Sequence, residues 1–410
     1  MSKAKGNYFI YLILLLIGSM PLLDLIYPGR LESVSRVFPI LLKIILLGCL
    51  IIYVILYQKK WWYRDSIGKV IILFLGIHFF YYIISSSNYS GDFFYISKTL
   101  IWSLGFFFFL DLGYRKSLTQ RQINRFFTVV VVLLFCLILT GVSNELLFRA
   151  NKEYAASNFA YFLVFVFPFI FMHKKLSFRL VILILCSIGV AISFKRGTML
   201  LYLFMIFYII FFGKLKVVVG NSFSKYFKLI IISIIALVIY LFVFSNMSNY
   251  LDKFQDIINL SEGNIDDVGS GRGLLYRLPL ERWLSSNPFR FLFGFGFNAT
   301  PAFYPTTGLL KTEFYAHSDF VMLIHDYGFL GLSILMSLFY SLLMKIKRSI
   351  SYLDKTPLIL IFFALLLKAV ISGFIIYEYS IYAFSILGLI IGRIRRAKVD
   401  NILKNEIKNI

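Results

Sequence analysis

Charge is scarce in this sequence. Only 15% of its 410 residues are Asp, Glu, Lys or Arg, against 60% hydrophobic. That balance excludes an ordinary soluble domain, which carries more charge and shorter apolar runs. Cysteine is scarcer still. Cys49, Cys136 and Cys186 each fall inside an apolar run, whereas a disulfide framework needs cysteines in extracytoplasmic loops. Neither CxxC nor HExxH occurs, which excludes the common zinc motifs. The helical segments show no detectable internal repeat.

What the sequence has instead is long apolar runs. "YFIYLILLLIGSMPLLDLIY" and "FKLIIISIIALVIYLFVF" approach the ~20 residues that cross a bilayer as a helix. Such runs recur along almost the whole chain and predict an all-α polytopic membrane protein. The first run is long, is interrupted late by Pro21 and Asp24, and shows no small-x-small site. It therefore reads as a first span rather than a cleaved signal.

About twelve spans are expected, near 8–27, 38–57, 69–85, 94–112, 126–143, 158–172, 178–194, 197–212, 227–245, 320–343, 356–376 and 380–392. This divides the chain into helices 1–9 over 1–245, an outer loop over 246–316, and helices 10–12 with a basic tail over 317–410. With both termini cytoplasmic, 27 of the 42 Lys and Arg fall inside, 12 outside and 3 within spans. The bias follows the positive-inside rule. The net charge of +22 is then a topology signal and a lipid-facing surface. It does not indicate nucleic acid, because the bases sit in short inter-helix loops.

The exceptions to that bias are informative. Lys195 and Arg196 stand outside in "SFKRGTML"; Arg272, Arg277, Arg282 and Arg290 stand in the outer loop. An anionic ligand on the outer face would explain them. The loop begins with Gly and Ser, as a flexible lead-in would. "LLYRLPLERWL" then reads as an interfacial helix. "LFGFGFN" alternates Gly with Phe, the pattern of close backbone approach.

His317 and Ser318 open the tenth span from the outer side. Nine residues then separate Ser318 from Gly328-x-x-Gly331. His317 alone could be a helix cap, a metal ligand or a catalytic group. His325, about 80° further round an ideal helix, is expected to pack within the bundle. Glu281 can pair with Arg277 at i,i+4. Asp266 and Asp267 read as a solvated turn. Lys43, Lys98 and Lys368 lie within spans, where ionisable groups are functional suspects. Tyr377, Glu378 and Tyr379 crown the last outer turn, as interfacial anchors or sugar contacts.

The His317-Ser318-x9-Gly328-x-x-Gly331 spacing resembles the H-[N/S/Q]-x9-G-x-x-G pattern of the O-antigen ligase and polymerase superfamily. Arg272, Trp283, Pro288, Gly294 and Gly296 resemble its G-R…W…P…G-x-G run. "SFKRGTML" is similar to its S-R-G element, with Lys195 where Ser commonly stands. Asn158 in "AASNFAYFL" resembles the Asn that opens its sixth span. The resemblance implies a GT-C-type fold in a bacterial cytoplasmic membrane, with the active site on the outer face. It also implies a metal-independent, cofactor-free, inverting glycosyl transfer. The substrates would be a polyprenyl-pyrophosphate-linked donor and an acceptor, with a chain-length regulator among the candidate partners. His317 would activate the acceptor. Arg196 and Arg272 would hold pyrophosphate, with Lys195, Arg277 and Arg282 assisting. Asn158, Ser318, Tyr377 and Glu378 would contact glycan, and Gly328 and Gly331 would shape the backbone. Within the superfamily the reading is a Wzy-type polysaccharide polymerase. The alternatives are a ligase to lipid A-core or protein and, in another class, a flippase for the same lipid.

Overall fold

The computed structural model describes residues 3–26, 37–57, 65–85, 92–115, 117–148, 155–173, 175–193, 196–212, 268–307, 317–349, 352–375, 377 and 379–408. The expected span at 227–245 lies outside these residues, as do Lys195, Asp266, Asp267 and Glu378. The side chains of Asn158, Arg196 and Arg272 do as well, although their backbones are helical. Among the described residues there is no strand.

Among the described residues, eight helices precede the long segment expected as the outer loop: α1 (Lys3–Ile26), α2 (Val37–Tyr57), α3 (Ser66–Ser85), α4 (Asp92–Arg115), α5 (Gln120–Phe148), α6 (Ala155–Val166), α7 (Leu176–Ile192) and α8 (Arg196–Phe211). A 3-10 turn, Phe167–Met172, extends α6. The loop carries α9 (Val268–Leu284), α10 (Pro288–Phe293) and α11 (Ala299–Phe303). The chain returns through α12 (Asp319–Arg348), α13 (Tyr352–Ile371) and α14 (Ser380–Lys408). Helices thus fall on every expected span within the described residues. Four are long and apolar enough to cross a membrane: Ser66–Ile84, Tyr95–Arg115, Gln120–Leu139 and Asp319–Arg348. Several shorter apolar helices accompany them. The basic tail, expected as an extension beyond the last span, continues α14 as helix; Arg396 pairs with Asp400 at 2.7 Å one turn on.

The centre of the bundle is α4, buried from Ile101 to Gly113. It packs along α14 with backbones nearly touching. A Cβ on Gly392 would come 2.2 Å from Leu110 O, and one on Gly388 2.3 Å from Phe106 O. Gly388 and Gly392 form a G-x-x-x-G face, and Gly113 answers from α4, 2.4 Å from Leu389 O. Lipid provides little driving force for helix association, so close packing through small residues supplies it.

Two helices contain proline at positions whose lost hydrogen bond is restored from elsewhere. Pro21 cannot donate to Ile17 O; the Tyr382 hydroxyl does so at 3.0 Å. Pro279 cannot donate to Leu275 O, and the Tyr304 hydroxyl replaces it at 2.5 Å. The first ties α1 to α14, the second α9 to the turn after α11. α9 begins at Val268, so the Gly/Ser stretch expected as a flexible lead-in is helical. Gly269, Ser270 and Gly271 are absorbed because the packed Leu275, Tyr276 and Trp283 anchor the rest of the helix.

Candidate functional site

α12 is not a continuous helix. Gly328 has φ 63° and ψ −152° inside it, which breaks the backbone ladder. The freed carbonyls find new donors in the outer loop. Phe295 N donates to His325 O and Gly296 N to Asp326 O, both at 3.0 Å. Gly294 and Gly296 reach those carbonyls with φ of 78° and 118°. Gly331 keeps the turn compact, since a Cβ there would sit 2.5 Å from Leu323 O. The two spaced glycines of the sequence pattern are thus the break and its tight return.

His325 lies under this junction, fully buried. It packs beneath the outer loop as well as in the helix bundle. Arg282 Nη1 is 3.4 Å from Nε2. Arginine only donates, so Nε2 is the bare nitrogen and Nδ1 carries the proton. That proton faces Asp326 Oδ1 and Thr300 Oγ1, each 3.0 Å away. The Thr300 hydroxyl donates to Asp326 Oδ1 at 2.6 Å. The Arg282 guanidinium lies over Phe295 at 4.1 Å and Phe303 at 4.3 Å. Burial, and then the neighbouring Arg290, push its pKa below the ordinary value, while Asp326 opposes them. Arg282 therefore clamps the loop onto α12. Arg277 is on the open side of α9, with Glu281 at 3.8 Å. That expected pair is present but long, and such exposed pairs contribute little.

His317 stands just before α12, half-buried, with φ 51°. A left-handed backbone is uncommon for a residue with a Cβ and costs on the order of 1 kcal/mol or more. Three sets of interactions over-determine it. Ser318 caps α12, accepting from Val321 N at 3.4 Å, and its hydroxyl donates to Ala369 O at 3.0 Å. Tyr276 shares one proton between His317 O at 3.2 Å and Ile371 O at 3.0 Å. Asp319 Oδ2 accepts from Phe374 N at 2.7 Å, and Oδ1 from Ile375 N at 3.3 Å. The loop after α13 wraps so closely that a Cβ on Gly373 would meet Asp319 Oδ1 at 2.8 Å.

The same corner holds Lys368, Ser372, Tyr161, Tyr377 and Tyr379. Tyr161 stacks on Tyr379 at 5.2 Å and Tyr377 on Tyr379 at 5.0 Å. Tyr161 also reaches α8, where a Cβ on Gly197 would lie 2.6 Å from its hydroxyl. Gly197 directly follows Arg196. His317, Ser318, Tyr377 and the start of α8 are therefore gathered at one end of the bundle, and α9 is tied to that end through Tyr276. Sequence reasoning does not single out Asp319 or Tyr276. Asp319 follows the His-Ser pair directly, and that adjacency is the signal that points to it.

A cavity of about 370 Å³ opens elsewhere, between the end of α3 and α10. Phe80, Tyr81, Phe289 and Arg290 are among its walls, as are Gly294, Phe295 and Gly296 of the junction, while neither His317 nor the Lys368 corner lines it. Among the described residues, no cluster of three or more His, Cys, Asp or Glu could hold a metal.

Residues 181–336 match the protein-family model described as O-antigen ligase, Wzy_C. The matched segment runs from α7 to the middle of α12, and so spans the start of α8, the outer loop, His317 and both glycines. No curated protein matches the chain.

Proposed function

We propose that this chain, which through residues 181–336 belongs to the O-antigen ligase and polymerase superfamily, polymerises a surface polysaccharide from lipid-linked repeat units. It is a multi-pass membrane protein. Its substrates are glycans on polyprenyl diphosphate, with the lipid in the bilayer and the sugars outside.

The observation that carries the reading is the convergence on His317. A histidine held in a left-handed backbone by three neighbouring elements shares the Tyr276 hydroxyl of the arginine-bearing α9 with Ile371, which lines the cleft at the start of α8. In the reaction, the acceptor hydroxyl attacks the anomeric carbon of the donor sugar. His317 takes the hydroxyl proton, a role suited to an imidazole. The C1–O bond breaks and its electron pair goes to the diphosphate oxygen. Attack from the opposite face inverts the anomeric centre. Arg196 and Arg272 hold the diphosphate, because a guanidinium stays charged and meets phosphate oxygens bidentately. Lys195 and Arg277 supplement that charge, while Arg282 acts by holding the loop. Asn158, Tyr377 and Glu378 are the candidate glycan contacts, whereas the buried Ser318, its hydroxyl engaged by Val321 N and Ala369 O, acts by fixing the backbone at His317. In this reading the charge of the basic side chains does the work that a metal would otherwise do.

The matching family's name, O-antigen ligase, favours a second reading in which the acceptor is a different molecule. Purified protein, incubated with a defined lipid-linked repeat and EDTA, separates the two. A ladder on a gel supports polymerisation; product only on adding a second acceptor supports ligation. Translocation of labelled lipid-linked sugar with no new glycosidic bond would replace both with transport.

A further inference from the structure

We propose that Lys368 is a further binding residue for the diphosphate, a cation held in a cage of tyrosine rings at the floor of the site. The inference rests on the diphosphate reading above and names a residue beyond its arginines.

Lys368 is on the last turn of α13 and only 3% exposed. A charge so placed in a membrane protein needs compensation and generally marks a functional path. Its ammonium donates to Ser372 Oγ at 2.7 Å. It also lies over the Tyr161 ring at 3.4 Å, the Tyr379 ring at 4.9 Å and the Tyr377 ring at 5.7 Å. Ring faces stabilise a cation through their quadrupole without adding a negative charge. One carboxylate that acts on it electrostatically, Asp319, is itself engaged by the amides of Phe374 and Ile375. The rings thus hold the ammonium without cancelling its positive potential.

Two neighbours give that potential a direction. Gly197 lines the same cleft as Lys368, Tyr161 and Ser372, so the backbone of Arg196 is one residue from the cage. α8 starts there, and its first amides add partial positive charge aimed at an anion. On the other side, Ala369 O and Ile371 O, one and three residues beyond Lys368, are the acceptors for Ser318 and Tyr276. Tyr276 shares the same proton with His317 O. Lys368 is thus tied through one helical turn to the histidine and through one ring to the arginine. A group that leaves with extra negative charge, as a diphosphate does when its C1–O bond breaks, is stabilised by such a fixed cation.

The test uses the full chain in nanodiscs and compares affinities for polyprenyl diphosphate and polyprenyl monophosphate. Lys368→Met keeps the packing and removes the charge; Lys368→Arg keeps the charge. Lys368→Met is expected to weaken diphosphate binding by about tenfold or more and monophosphate binding far less, with Lys368→Arg recovering much of the loss. Melting temperature should stay near wild type. Unchanged diphosphate affinity in Lys368→Met, or equal weakening for both lipids, would overturn the proposal. If Arg196→Gln loses the diphosphate while Lys368→Met does not, the diphosphate reading stands and Lys368 leaves it. A wild-type protein that does not prefer diphosphate removes both. Should Lys368→Met not fold, Ser372→Ala removes only the hydroxyl that fixes the ammonium. It should weaken diphosphate selectively, and an unchanged affinity overturns the assignment.

Discussion

Gly294 of the outer loop and Gly328 of α12 face each other backbone to backbone: a Cβ on Gly328 would lie 2.6 Å from Gly294 N, and one on Gly294 2.5 Å from Gly328 N. Both have positive φ. Gly328→Ala therefore meets backbone on one side and left-handed strain on the other, together worth roughly 1–3 kcal/mol or more. The loop should undock from α12 while the bundle stays folded. Proteolysis of the native protein should then cleave within 268–307 faster than in wild type. An unchanged cleavage rate would show that the junction tolerates a side chain.

The two histidines should behave differently. His317→Ala should reduce product formation by about 100-fold or more, the range of a lost general base, and leave the fold intact. His325→Gln keeps one acceptor for Arg282 and one donor toward Asp326, so it should be mild. His325→Leu leaves a buried carboxylate and a guanidinium without that partner, and should destabilise by about 1–3 kcal/mol. Thermal unfolding together with product per folded protein distinguishes these. A dead His325→Gln enzyme with wild-type stability would move the chemistry to His325.

Much of this was legible in sequence, and the reasons it stopped are physical. Apolar runs fix where helices form, because each must satisfy its own backbone in lipid. They do not say which helix is central, and α4 takes that place through Gly388 and Gly392, on a helix far away in the chain. The Gly-Phe alternation announced close approach but not the partner, Gly328. The spacing from His317 to Gly328 and Gly331 pointed to this corner, whereas Asp319 drew no reading of its own, because its partners Phe374 and Ile375 lie 55 and 56 residues further on. Lys368 stood out as a charge in an apolar run. The rings around it come from positions 161, 377 and 379, and no local pattern joins them.

Orientation is open to chemical labelling. With Cys49, Cys136 and Cys186 replaced, Ser285→Cys on the exposed end of α9 should react with a membrane-impermeant thiol reagent added from outside. Lys347→Cys, exposed at the far end of α12, should not. Ser349 is buried and would stay silent on either side, which makes it a poor reporter. Labelling of Lys347→Cys but not Ser285→Cys would invert the topology and move His317 to the cytoplasmic side.

Charge and geometry at the arginines separate in a final comparison. Holding a diphosphate draws on a permanent positive charge and on a planar fork of donors. Lysine keeps the first and loses the second; glutamine loses the charge. At Arg196 and Arg272, Arg→Lys should retain part of the turnover and Arg→Gln much less. Removing a charge-assisted hydrogen bond from the transition state costs about 2–4 kcal/mol, or roughly 30- to 1,000-fold in rate. Arg290 is the control. It lies on the wall of the cavity between α3 and α10, 5.1 Å from the Phe295 ring, and Arg290→Gln should change turnover little. The measurement is product per folded protein for Lys and Gln variants at all three positions. Equal loss at Arg290 and Arg196 would mean that diffuse outer-face charge drives the reaction, and the specific clamp would be abandoned.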